Sequence, residues 1–230
     1  MKKIAKWIGL PVLVPAVALM TAWGTLAIYW SNPPPGMLRT VAAAAFGLAT
    51  VLAFLCLPDR RRTLIGFLLA FAAVAGWWMT IPASNDRPWQ RDVAVLPFAD
   101  VKGDLVTIHN IRNLAYRTET DFDVRYYDKT FDLKQLDSVD LIAVYWMGDA
   151  IAHVMVTFGF RERDFVTFSI ETRKEIGEEY STLNGFFKQY ELIFIAGDER
   201  DLIRVRTDFR KPPEDVYLYR TLMPPENARK

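Results

Sequence analysis

The sequence predicts three transmembrane α-helices followed by an α+β domain with a mostly antiparallel sheet, and three observations carry that reading. Charge is almost absent from Trp7 to Ile81 and dense, with mixed sign, from Asp86 onward. Three windows in the charge-poor part have the length of a spanning helix, about 20 predominantly apolar residues. Beyond them, short runs of Val, Ile, Phe and Tyr are bounded by Gly, Asp and Pro, the pattern of strands and turns. Whole-chain composition conceals the division: 51% hydrophobic and 24% charged residues would suit an ordinary soluble domain. The net charge of +1, with no strongly basic half, gives no footing for nucleic acid.

The expected helices run over 7–30, 40–57 and 63–81, inside a membrane anchor comprising residues 1–84. Pro11 and Pro15 fall in the first turns of the first helix, where neighbouring helices can re-satisfy the freed carbonyls. Trp7, Trp23, Tyr29, Trp30, Trp77 and Trp78 lie mostly near segment ends, as interfacial anchors do. Lys2, Lys3 and Lys6 precede the first helix, and Arg60, Arg61 and Arg62 occupy the turn between the second and third. The intervening loop carries only Arg39. Lys/Arg excess marks the cytoplasmic side, so the N-terminus is expected inside. Three crossings then put everything after Ile81 outside, on the periplasmic face of a bacterial inner membrane. A cleaved signal peptide is the poorer reading of the first segment, because its apolar stretch is long and no small-x-small site is evident before Ser31.

The second region, residues 85–230, opens with a short linker at Asn85 to Gln90. Strands are expected at Leu105–Ile111, Leu141–Trp146, Ile151–Phe158, Phe165–Thr172, Glu191–Ala196 and Val216–Arg220, with a hairpin turn within Gly159–Asp164. Ile176 to Gln189 reads as a helix interrupted at Gly185, and Asp198 to Asp208 as either helix or strand. Pro224, Pro225, Glu226 and Asn227 look like a helix start.

Motifs for phosphate loops, zincins and nucleophile elbows are absent. Cys56 is the only cysteine, so an intrachain disulfide is excluded, and two histidines exclude a multi-histidine metal site. No metal and no cofactor is expected. His153 lies in an apolar strand, where it is either a core histidine bonded to a carbonyl or a general base held rigid and tuned by burial. Glu171 is on the next strand, and hairpin register decides whether the two meet. A two-residue turn at Arg161 and Glu162 sets His153 opposite Ile170, whereas one more loop residue sets it opposite Glu171. Otherwise Glu171 pairs with Arg173 or Lys174. His109, Asn110 and Arg112 end the first strand and either fix a turn or line a cleft, with the Arg112 guanidinium suited to a phosphate head group. Cys56 sits at the cytoplasmic end of its helix, a bilayer away from both histidines, and is read as packing.

These residues also carry a resemblance. His109-Asn110-Ile111-Arg112-Asn113, Tyr116-Arg117-Thr118, Tyr145-Trp146, Ala152-His153, Phe158-Gly159-Phe160, Ser169-Ile170-Glu171-Thr172-Arg173 and Asp198-Glu199-Arg200-Asp201, in that order, resemble the bacterial Lnb N-terminal periplasmic domain family. The resemblance implies a papain-like or NlpC/P60-like fold in circularly permuted order, with the histidine strand preceding a helix that bears a cysteine nucleophile. It implies lipoprotein acyl transfer or hydrolysis, with His153 as base or acid. From the residues themselves, Glu171 is the second catalytic candidate, and His109, Asn110, Arg112 and Arg173 are the candidates for binding a lipid or lipoprotein substrate. The family's cysteine is expected beyond a segment like Pro224–Lys230, so the chain reads as C-terminally incomplete, or lacking its nucleophile, and inert by the cysteine route.

Two readings of function follow. An anchored thiol acyltransferase or hydrolase predicts His153 on a cleft wall and an exposed apolar patch. An anchored binding or scaffold domain without catalysis predicts His153 buried and fully hydrogen-bonded, with a closed sheet.

Overall fold

The computed structural model describes residues 2–31, 36–146, 148–210, 214–222 and 227, with side chains from residue 11 onward. Contacts divide the chain into two compact units, one of residues 1–86 with 179–191 and one of residues 87–178 with 192–230.

In the first unit, α1 (Lys2–Trp30), α2 (Met37–Cys56) and α3 (Arg60–Met79) are each long and apolar enough to cross a membrane. They are apolar all round: Val12, Leu19, Leu48 and Leu69 all face outward, which suits lipid rather than water. α1 continues through Pro11 and Pro15. Small residues let α1 and α2 approach, since a Cβ on Gly24 would lie 2.7 Å from the Phe46 ring. Trp23 packs edge-on against Phe71 and Trp78 of α3. The Asp59 carboxylate caps α3 by accepting from the Arg61 and Arg62 amides. The same unit contains α4 (Thr182–Phe186), which is all of the expected 176–189 helix that forms.

The second unit is a mixed, mostly antiparallel sheet. Its strands are β1 (Phe98–Lys102), β2 (Leu105–Arg112), β5 (Tyr126–Asp132), β6 (Leu136–Tyr145), β7 (Ala152–Phe160), β8 (Asp164–Arg173), β9 (Glu191–Gly197) and β10 (Asp215–Arg220). The order is β1-β2-β9-β8-β7-β6-β10, with β5 on β2. The short β3 (Ala115–Tyr116) and β4 (Phe122–Asp123) form a separate ribbon. β2 and β9 pair in parallel where Arg112 meets Gly197. The segment left between helix and strand resolves into α5 (Glu199–Leu202) and a π-turn (Val205–Phe209). Of the expected helix start at Pro224–Asn227, only Asn227 is among the described residues, and it is helical.

Register follows from the β7–β8 turn. Phe160 pairs with Asp164, leaving a three-residue loop in which Arg161 and Glu162 both have left-handed φ, 54° and 55°. No glycine marks this turn; the Glu162 amide is held instead by the Asp137 carboxylate at 2.7 Å. Alternation then places Ile142, Val144, Met155, Ile193 and Ile195 on one face, under Leu202 of α5. The other face packs Phe160, Val166 and Ala196 against Ile108 and Ile111 of β2 and Phe131 of β5. Farther along that second face, Val154, Ile170, Leu192 and Phe194 are exposed.

One buried ion pair joins these parts. Asp201, fully buried in α5, accepts from Arg112 Nε and Nη2 at 2.9 Å each and from the Leu114 amide at 2.8 Å. The remaining Arg112 donor reaches the Asp92 carbonyl at 2.8 Å. Next to it, β2 is bulged between Ile108 and Ile111, and Asn110 takes φ 60°, a conformation Asn tolerates. His109 is stacked on Phe98 and lies between two carboxylates, Nδ1 2.7 Å from Asp128 and Nε2 3.2 Å from Asp100. The hydrogen bond to Asp128 is the main reason that its pKa rises, partly opposed by desolvation and reinforced by Asp100.

Removing one partner of a buried pair strands the other charge. Asp201→Ala is therefore expected to destabilise the sheet domain by about 3–5 kcal/mol, read by chemical denaturation of the full chain in detergent. Unchanged stability would contradict this role for the pair. His109 is expected to contribute stability fully below about pH 6.5, its unfolded value. The contribution disappears as pH rises through the higher folded value. Unfolding compared with His109→Gln between pH 5 and 9 checks the sign: the gap between the two proteins closes at high pH.

Candidate functional site

Side chains from three elements meet at the edge of the α5-covered face. β7 supplies His153, β8 supplies Ser169 and Glu171, and the π-turn supplies Arg206. The three-residue loop gives the register that sets His153 toward Glu171, and their side chains approach to 3.3 Å. His153 Nε2 lies 2.7 Å from Ser169 Oγ, and Ser169 Oγ donates to Glu171 Oε1 at 2.6 Å. Arg206, itself buried, donates from Nη2 to the same Glu171 oxygen at 2.8 Å and from Nη1 to the Leu202 carbonyl at 2.7 Å.

This geometry fixes protons. A serine hydroxyl has one hydrogen, and here it goes to Glu171. His153 Nε2 must then be the protonated nitrogen, donating to Ser169. Among the described residues Nδ1 has no hydrogen-bond partner, and the imidazole is partly exposed, at 24%. Burial pushes the Glu171 carboxyl up, but the close approach of His153, the Arg206 charge and the Ser169 hydrogen bond outweigh it and hold the group well below the usual carboxylate range. The arrangement is thus an anionic carboxylate, a relaying hydroxyl and an oriented imidazole with its free nitrogen available. Ser169 is only 2% exposed, which suits positioning rather than attack on a substrate.

The other candidate residues are placed differently. Arg173 is 2% exposed; it donates to the Val93 and Ala94 carbonyls at 2.9 Å each and lies over the Trp89 ring. It ties the domain's entry segment to β8. Arg112 holds Asp201, and His109 holds Asp128 and Asp100. The Asn110 amide donates to Asp128 and its side chain to the Leu96 carbonyl. These four therefore do not converge on His153. Arg206 was not singled out from the sequence. The available signal was Asp198-Glu199-Arg200-Asp201 before Leu202 and Ile203, an aspartate N-cap opening a helical turn. The apolar strip of Val154 and Ile170 lies on the opposite sheet face from His153, so exposed apolar surface and a partly open histidine both occur, but not together.

Among the described residues no His, Cys, Asp and Glu cluster is arranged to hold a metal ion. Cys56 closes α2, in the other unit, and residues 87–230 contain no cysteine.

No curated protein and no solved structure matches the chain. Residues 122–230 match the model of the Lnb N-terminal periplasmic domain, a span that contains β5 to β10 and every member of the His153 cluster. The chain thus has three helices long and apolar enough to cross a membrane, followed by a region similar to the Lnb N-terminal periplasmic domain.

Proposed function

We propose that this chain supplies the periplasmic, base-bearing domain of a thiol-dependent acyltransferase or hydrolase acting on lipoproteins or lipids at the inner membrane. Its N-terminus is cytoplasmic in this reading, following the Lys2, Lys3, Lys6 and Arg60–Arg62 charges. The observation that carries the proposal is the His153–Ser169–Glu171–Arg206 chain. An imidazole locked at Nε2 by a hydroxyl and a stabilised carboxylate leaves Nδ1 to take and return a proton. The Lnb family match supports the same reading, and the permuted papain-like order belongs to the proposal.

In the proposed chemistry His153 Nδ1 accepts the thiol proton as sulfur attacks an ester carbonyl. The carbon–oxygen bond breaks, and the departing alcohol takes the proton back from the imidazolium. An amine or water then attacks the thioester and regenerates the thiol. Glu171 stays ionised throughout and stabilises the imidazolium, with Arg206 keeping that carboxylate charged. Residues 87–230 provide the base and its orientation; the thiol lies outside them.

A second reading, a binding or scaffold domain without catalysis, draws on the exposed Val154, Ile170, Leu192 and Phe194 side chains, since contiguous apolar surface marks interaction sites. Expression from the intact genomic reading frame, with lipoprotein acylation followed by mass spectrometry, separates the two. His153→Ala is expected to lower acyl transfer by about 10²–10⁴-fold, and Glu171→Gln to lower it with the fold retained. Acylation that is identical in wild type and His153→Ala would sink the enzyme reading and leave the scaffold.

A further inference from the structure

The stretch between β8 and β9, residues 179–191, belongs to the helical unit rather than to the sheet unit. Its contacts show what it does there. Phe187 is 2% exposed, with its ring 6.2 Å from Trp23 of α1. Lys188 donates from Nζ to the Trp78 carbonyl at 3.0 Å and lies 4.2 Å over the Trp78 ring. Trp78 is in the last turn of α3, where carbonyls lose their intrahelical partners, so the ammonium satisfies a group at the helix end. The Ser84 amide donates to Glu191 Oε1 at 3.1 Å. The neck is closed by Tyr190, whose hydroxyl donates to the Glu179 carbonyl at 2.6 Å and accepts from the Ser181 amide at 3.0 Å. Between these fixings runs α4, capped by Ser181.

The segment is thus held near the C-terminal ends of α1 and α3, yet Leu183 and Phe186 remain 46% and 65% exposed. Trp77 and Met79, at the same end of α3, are exposed as well. Leu183 and Phe186 are three residues apart and lie on neighbouring positions of one helical turn. Aromatic and apolar side chains at this level, beside a lysine, form the pattern of an interfacial belt.

We infer that α4 is a membrane-interfacial anchor: Leu183 and Phe186 insert into the outer headgroup–acyl boundary of the bilayer that α1–α3 cross. The occupant is lipid because this surface is continuous with the lipid-facing sides of the helices that hold it. Phe187 turns inward as the fixed point, and Leu183 and Phe186 turn outward. The inference rests on the membrane helices alone and stands or falls independently of acyl transfer.

The test uses the full chain in proteoliposomes, with Cys56→Ala as background and single cysteines at Leu183 and Phe186 carrying nitroxide spin labels. Leu48→Cys on α2 is the lipid control and Arg163→Cys in the β7–β8 loop the water control. Accessibility to oxygen is compared with accessibility to a water-soluble nickel chelate. Labels at Leu183 and Phe186 are expected to favour oxygen, as at Leu48, with depths just inside the phosphate level. Nickel access equal to that at Arg163 would overturn the inference. Protection from both reagents would overturn it too, since it would mean that protein covers α4. Circular dichroism of each labelled variant confirms that helix content is retained.

Discussion

Much of the sheet unit depends on Asp201. Its carboxylate takes two guanidinium donors of Arg112 and the Leu114 amide, so α5, the end of β2 and the following turn are fixed by one fully buried anion. Gly197 allows this closeness: a Cβ there would lie 2.7 Å from Leu202, and the Asp198 amide reaches back to the Arg112 carbonyl at 2.8 Å. With α5 set, the chain winds into the π-turn and presents Arg206 to Glu171. An ion pair of this kind adds little net stability over well-packed apolar residues. What it provides is placement, because the buried charges tolerate few other arrangements. His153 is thereby oriented through a sequence of contacts that begins across the sheet unit.

The membrane helices were legible because lipid imposes the strongest compositional signature a sequence carries: no charge over a full span. The strands from β6 to β10 were legible through β-branched and aromatic runs. β8, β9 and β10 extend the expected bounds by a residue at one or both ends, β6 begins five residues earlier and stops before Trp146, and β7 leaves out Ile151 and runs two residues further. β5 was not, since Tyr126–Asp132 is rich in polar residues and buries only Phe131 among its side chains. The expected helix over 176–189 shrank to Thr182–Phe186. Gly177 takes φ 88°, and Tyr190 uses its hydroxyl to close a loop instead.

Register was the part that sequence left open, and it decides the site. A turn signalled by Gly or Asn-Gly announces its length. Here Arg161 and Glu162 occupy left-handed conformations that their residue types disfavour, with Asp137 and the Gln135 carbonyl holding the loop. Those partners come from β6 and the short turn that precedes it, so the three-residue loop is a tertiary decision. The same holds for Arg206, which reaches Glu171 through a π-turn that local periodicity does not announce. By contrast, the polar cluster at His109, Asn110 and Arg112 was conspicuous in sequence because it builds a bulge and a buried pair. Conspicuous polar residues on strands mark places where backbone geometry departs from regular pairing as readily as places of chemistry.

The position of Ser169 has a mechanistic consequence. Were His153 Nε2 the nitrogen that accepts a proton, the Ser169 hydroxyl would have to donate to it, and Glu171 would lose a hydrogen bond while buried beside Arg206. The observed 2.6 Å contact favours the opposite direction, because a hydroxyl donating to a carboxylate makes a charge-assisted bond stronger than one to a neutral imidazole. The proton order Nε2–H to Oγ, then O–H to Oε1, is therefore self-consistent only while Glu171 is ionised, and Arg206 and His153 together keep it so. Turning the hydroxyl toward Nε2 would leave the Glu171 anion with the Arg206 donor but without the Ser169 one. The imidazole thus has one nitrogen committed to the protein and one facing outward, and any substrate acted on by His153 must approach from the Nδ1 side.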